Sequence, residues 1–209
     1  YVNAGNIQNM GTEIILGITP VMTNDFLWKT QFNMSQNKNT VISLHDELPK
    51  FTISDSANDA YRMYLEKGGS YGDFYGYDFD RDENGKIKYD DNGLPIKNGK
   101  FVKIGNATPD FLLGWNNTFD YKGFSLGFLV DCRFGGQALS MTQADLDLYG
   151  VTEVTAKARD VGYVMLEGTK ISDVEGFYKR VGNRDGVTGY YVYDATNIRL
   201  RLLHPFSHS

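Results

Sequence analysis

The densest concentration of ligand-type side chains is Asp80-Arg-Asp-Glu-Asn-Gly-Lys-Ile-Lys-Tyr-Asp-Asp91. Oxygen-bearing residues at positions 1, 3, 5 and 12, with Gly85 at 6 and Ile87 at 8, match much of a calcium loop. Asp91 reaches less far than the usual Glu for bidentate ligation, and no helical pattern flanks the segment. Asn-Gly recurs eight residues on, at Asn92-Gly93. Asn-Gly favours positive φ, so the spacing predicts two stacked hairpin turns in preference to a calcium site. Carboxylates also serve glycoside hydrolysis, which needs two of them facing one cleft. Here Asp and Glu concentrate in predicted loops, and spacing singles out no pair. His45, His204 and His208 are scattered, and no nucleophile elbow, P-loop or dinucleotide fingerprint is present. Tyr71-Gly-Asp-Phe-Tyr-Gly-Tyr-Asp-Phe79 offers aromatics that, if exposed, would stack on sugar rings or dock a partner. The competing expectation is a mini-core that holds its own loop.

The composition narrows the classes. Against 21 Lys and Arg stand 26 Asp and Glu, a net charge of −5, which argues against a nucleic-acid partner. A single cysteine, Cys132, excludes an internal disulfide and a cysteine-based zinc site. Gly at 23 residues, with 13 Phe, 14 Tyr and only 5 Pro, favours strands and turns. No apolar run reaches the roughly 18 residues of a membrane helix, although barrel strands need only about 9–11 of alternating type.

Period-two alternation dominates. Phe26, Trp28, Thr30, Phe32 and Met34 form one face of a strand, and Leu27, Lys29, Gln31, Asn33 and Ser35 the other. Phe111, Leu113, Trp115, Asn117, Phe119 and Tyr121 lead through a Lys122-Gly123 turn to Phe124, Leu126, Phe128, Val130, Cys132 and Phe134. The opposite face carries Asn116, Asp120, Asp131 and Arg133. Ile198, Leu200 and Leu202 alternate with Asn197, Arg199 and Arg201, and a weaker strand runs from about Thr12 to Thr19. The pattern permits a soluble sandwich, whose apolar faces meet each other, and a membrane barrel, whose apolar face meets lipid. Strands of 11 residues with aromatics near their ends favour the barrel. The stretches 45–109 and 136–194 are too long for tight hairpins. A short helix is expected over Ser54–Lys67, capped by Ser54 or Ser56 and stopped by Gly68-Gly69, and another from Thr142-Gln-Ala-Asp145 to Gly150.

Several segments, in order, resemble the SusC/RagA family of TonB-dependent outer-membrane transporters. They are Asn6-Ile-Gln-Asn-Met-Gly-Thr-Glu-Ile-Ile15, Phe32-Asn-Met-Ser-Gln-Asn-Lys-Asn-Thr-Val41, Gly72-Asp-Phe-Tyr-Gly76, Ile104-Gly-Asn-Ala-Thr-Pro-Asp-Phe111, Asp131-Cys-Arg-Phe-Gly-Gly136 and Tyr193-Asp-Ala-Thr-Asn-Ile-Arg-Leu-Arg201. The resemblance implies the later part of a 22-stranded barrel in the outer membrane of a Gram-negative bacterium. It implies import of oligosaccharides or peptides with a SusD-like surface lipoprotein, driven by TonB. It also implies that the plug domain and the final strands lie outside these 209 residues.

The resulting expectation is an all-β, antiparallel membrane β-barrel portion, incomplete as a barrel, with long loops carrying short helices. Residues 1–209 are expected to be part of one barrel domain. Catalytic, cofactor and metal-ligating residues are expected to be none. A lumen face is expected from Lys29, Gln31, Asn33, Asn116, Asp120, Asp131, Arg133, Arg199 and Arg201, contacting solute opposite outer-membrane lipid. The rival readings are a soluble carbohydrate-binding β-sandwich, with Tyr71–Phe79 as its site, and a secreted glycosidase domain.

Overall fold

The structure, a computed structural model, describes residues 5–45, 47–55 and 60–203. Antiparallel sheet predominates, with three short helices. The strands run β1 (Gly5–Met22), β2 (Phe26–Leu44), β3 (Lys50–Asp55), β4 (Tyr61–Glu66), β5 (Asp73–Gly76), β6 (Val102–Asn106), β7 (Phe111–Tyr121), β8 (Phe124–Phe134) and β9 (Gln137–Leu139). Helices α1 (Met141–Leu148) and α2 (Glu153–Val161) come next. The short pair β10 (Val164–Leu166) and β11 (Thr169–Ile171) leads to α3 (Val174–Gly182), and β12 (Val192–Asp194) and β13 (Asn197–Leu203) complete the order. The chain divides into two compact units, one gathering Ile7–Thr40, Thr108–Gly136 and Asp194 onward, the other holding Val41–Ala107 and Gln137–Tyr193.

The first unit is a five-stranded sheet in the order β1-β2-β7-β8-β13, with β1 and β13 at its edges. β7 and β8 have the expected 11 residues, whereas the Phe26–Ser35 segment extends to Leu44 in a 19-residue strand and the Thr12–Thr19 segment proves to be the middle of an 18-residue one. β7 and β8 pair along all 11 residues, from Tyr121↔Phe124 to Phe111↔Phe134. Their turn is Lys122-Gly123, with φ of 47° and 85°. Two positive φ values define the tight turn whose twist matches antiparallel strands.

The second unit has its own core. Phe177, Val187 and Tyr191 are fully buried, packed with Phe79, Ile87 and Leu94 from the Asp80–Asp91 region and with Ile171 and Val181. A sheet in the order β3-β4-β5-β6 belongs to the same unit. Here one expectation fails. The segment read as a helix over Ser54–Lys67 contains the end of β3 and all of β4, paired Thr52↔Tyr64 and Ser54↔Met63, while Ser56 lies outside the described residues. Tyr61, Tyr64 and Leu65 suit a strand as well as a helix over so short a span. Tertiary packing decides: Tyr64 stacks on Tyr75 of β5 with ring centroids 3.8 Å apart.

The second expected helix forms as α1, but its cap is Ser140, whose hydroxyl accepts the Gln143 N–H, in place of Thr142. Gly150 follows its end with φ of 67°. Thr152 and Asp173 cap α2 and α3 in the same way. Neither helix was assigned from sequence, although Thr152, Asp173 and the left-handed Gly162 are ordinary boundary signals.

Candidate functional site

Cross-strand register in the five-stranded sheet collects each alternating set on one side. Directly paired residues of antiparallel strands point the same way. The row Phe32↔Trp115↔Val130↔Leu200 therefore lies on one face, as do Trp28↔Phe119↔Leu126 and Met34↔Leu113↔Cys132↔Ile198. Phe119 and Phe124 share that face, the continuity expected of the Lys122-Gly123 hairpin. The face is open: Leu126 is 54% exposed, Leu200 68% and Leu202 74%. A soluble sandwich would bury such residues under a second sheet. Rings tile the surface, with Phe32 stacked on Trp115 at 5.6 Å and Trp28 on Phe119 at 5.7 Å.

Two polar residues interrupt the apolar face, and they are paired. Thr30 stands opposite Asn117 and both are buried, at 5% and 1% exposure. The Trp115 indole N–H donates to the Thr30 hydroxyl at 2.8 Å, and the Trp28 N–H donates to the Asn117 carbonyl at 3.1 Å. Sequence reading placed these residues on the apolar face without a reason. The reason is that each indole donor finds its acceptor in this pair.

The opposite face assembles all nine expected lumen-facing residues. Its rows are Gln31↔Asn116↔Leu129↔Arg201, Asn33↔Gly114↔Asp131↔Arg199, and Ser35↔Leu112↔Arg133↔Asn197. Lys29 pairs with Thr118, and Asp120 with Ser125, whose hydroxyl donates to it. Arg201 approaches Asp131 at 3.9 Å. Asn33 covers Gly114, where any Cβ would collide with its amide. A shallow groove of about 280 Å³ runs between β1, β2 and β7, lined by Lys29, Gln31, Asn116 and Thr118. The hydroxyls of Thr118 and Ser125 were not singled out from sequence; their even spacing with Asn116 and Asp120 was the available signal.

In the other unit the Asp80–Asp91 segment forms the tandem turns. The Asp82 carboxylate accepts the N–H groups of Asn84 and Lys86, and eight residues on Asp90 accepts those of Asn92 and Leu94. Gly85 and Gly93 take φ of 79° and 75°. The backbone N–H of Lys86 holds the Asp82 carboxyl below its ordinary range, and that of Leu94, helped by Arg180, does so for Asp90. Among the candidate ligands, Asp82 thus has one carboxylate oxygen committed to its own turn. Among the described residues no group of three or more His, Cys, Asp and Glu is placed to hold a metal. His204 and His208 lie outside those residues.

Side-chain contacts tie this region to α3, to the β10–β11 turn and to the segment after α3. Arg180 meets Asp90 at 2.9 Å, Arg81 forks onto Glu167 at 2.7 and 2.9 Å, and Lys97 donates to the Asp185 carbonyl. The Tyr71–Phe79 aromatics are turned inward. Phe74, Tyr75 and Phe79 are 3–7% exposed, Tyr77 packs edge-on against Phe101, and Tyr71 remains open. Phe74, Tyr75 and Phe79 thus belong to the mini-core, and their rings are closed to a sugar.

No family model matches the chain. Among curated proteins it is 29% identical to TonB-dependent receptor P3 of Formosa agariphila, over 96% of this chain and 22% of that protein. It is 26% identical to TonB-dependent receptor P39 of the same organism, over 95% and 24%, and 26% identical to TonB-dependent receptor SusC of Bacteroides thetaiotaomicron, over 60% and 14%. The chain thus spans less than a quarter of the length of these relatives. Among solved structures it is similar in fold to the RagAB peptide importer in its closed-closed state, with a TM-score of 0.61, 17% identity and coverage of 96% and 23%. The open-open state gives a TM-score of 0.62, 14% identity and coverage of 95% and 22%. The chain is thus similar in sequence to TonB-dependent receptors, SusC among them, and in fold to RagAB, the resemblance its ordered segments carried.

Proposed function

From this similarity to SusC/RagA-like TonB-dependent receptors, we propose that the chain is a wall segment of an outer-membrane nutrient importer. Residues 1–209 are part of its β-barrel domain, in the outer membrane of a Gram-negative bacterium. The wall turns Leu126, Leu200 and Leu202 to lipid and the Lys29–Arg201 face to the solute path. It contributes no catalytic residue. The complete receptor takes up oligosaccharides or peptides with a SusD-like surface lipoprotein and draws energy through TonB.

The observation that carries this reading is the pair of opposed faces on one sheet, with the apolar face left open. Lipid is the surroundings in which such a face is stable, because every exposed apolar group there is already out of water. Single-cysteine labelling of the receptor containing this segment tests it, in a Cys132→Ser background. Leu126→Cys in intact outer membranes is expected to be shielded from a sulfonated maleimide, because a thiol in apolar surroundings is not ionised, and to react with it once the receptor is unfolded. Arg199→Cys should react in both states. Equal reaction of the sulfonated reagent at the two positions would overturn the assignment.

A further inference from the structure

In the second unit, helices α1, α2 and α3 meet around a cavity of about 190 Å³. Its wall includes Asp147 and Tyr149 from the end of α1, Arg159 from α2, and Val174, Tyr178 and Lys179 from α3. Asp147 is only 3% exposed, and its burial is half compensated. The Gln143 amide donates to its Oδ1 at 2.8 Å, and the Thr152 hydroxyl donates to the same atom at 2.6 Å. Among the described residues no donor meets Oδ2. That oxygen is not sealed within the protein, so it is the one left to face the cavity.

The cavity's own cations are engaged elsewhere. Lys179 meets Glu175 at 2.6 Å, and the Arg159 guanidinium donates to the Gly150 carbonyl at 2.9 Å. The last turn of α1 carries no basic residue, although the negative end of the helix dipole lies there. A carboxylate so deeply buried is costly unless a positive group pairs with it.

We infer that this cavity binds an alkylammonium group, the cationic end of a lysine side chain or of a free primary amine. The ammonium donates to Asp147 Oδ2 in a charge-assisted hydrogen bond. Its alkyl stem lies against Val174 and the Tyr178 ring, and the open Tyr149 ring, 78% exposed, offers its negative face to the same cation. Sites that enclose a whole ligand have about 300–1,000 Å³, so this smaller one admits a group the size of one side chain. A divalent metal fits less well, because it needs several oxygen ligands where one is free. The site goes beyond the importer reading and requires no particular transported solute.

The test is ligand-observed NMR titration of the purified receptor containing this segment, in detergent. n-Butylamine is the cationic probe, n-butanol its neutral counterpart, and Nα-acetyl-lysine amide the peptide-like amine. n-Butylamine is expected to bind saturably, and n-butanol about tenfold more weakly. Asp147→Asn keeps an acceptor for Gln143 and Thr152 but turns the free oxygen into a donating amide. It should weaken n-butylamine binding about tenfold at an unchanged melting temperature. Tyr149→Ala, at an exposed position, should weaken it about threefold. Lysine amide binding as tightly as n-butylamine identifies a peptide side chain as the source of the ammonium, and its exclusion identifies a free amine; both support the site. Equal binding of amine and alcohol, a cavity holding water only, or unchanged amine binding by folded Asp147→Asn would overturn it. Should Asp147→Asn not fold, unchanged binding by Tyr149→Ala overturns the site and the threefold loss supports it.

Discussion

Thr30 and Asn117 show how a buried polar side chain is fixed by the donors it satisfies. Each accepts an indole N–H from a tryptophan one pair away, at 2.8 and 3.1 Å. The two are not equivalent, because the buried Asn117 amide nitrogen has no partner of its own. Thr30→Val keeps the shape and strands the Trp115 donor, so it should destabilise the receptor in lipid by about 1–3 kcal/mol. Asn117→Leu strands the Trp28 donor but removes an unpaired amide as well, and its cost should be smaller. Urea unfolding of both variants in lipid vesicles measures the order, and a Thr30→Val effect no larger than that of Asn117→Leu would contradict the account.

At the scale of an element, the tandem turns are held by side-chain carboxylates. Asp82 and Asp90 have folded-state pKa values depressed below 3.8 by the backbone N–H groups they accept. A depressed carboxyl contributes stability that is complete above its unfolded value and is lost as pH falls through the lower native one. The amide proton shifts of Lys86 and Leu94 should therefore stay constant at neutral pH and titrate together with midpoints below 3.8, as followed by NMR. Calcium titration at neutral pH should leave the same signals unmoved at micromolar concentration. Midpoints at or above 3.8 would contradict the capping account, and saturation by micromolar calcium that Asp80→Ala with Asp82→Ala abolishes would restore the calcium reading.

For the whole molecule, the decisive feature is that β1 and β13 are edges. Among the described residues each leaves a row of backbone N–H and C=O groups without sheet partners, and in lipid such groups cost several kcal/mol apiece. Two such edges exceed the roughly 5–15 kcal/mol stability of an ordinary domain. The 209-residue chain expressed alone should therefore aggregate or recruit further strands, and should show no discrete conductance in planar bilayers. A reproducible single-channel step from the purified chain would refute this expectation.

The facing of the long alternating strands, and the length of β7 and β8, were legible because a period of two can be read residue by residue. Lys29 to Asn33 and Phe124 to Phe134 needed no knowledge of their neighbours. The Asn-Gly turns were legible for the same reason, since positive φ is a local demand. What the sequence left open was anything that depends on a partner distant in the chain. The segment around Tyr61–Leu65 has helical spacing, yet its pairing with β3 and β5 makes it a strand. The aromatics of Tyr71–Phe79 could face out or in, and only the core of their own unit turned Tyr75 and Phe79 inward. Alternation likewise suited both sandwich and barrel, because it says which residues share a face and not what covers that face. That depended on whether a second layer packs over Leu126 and Leu200. Their exposure, at 54% and 68%, is a property of the folded chain alone.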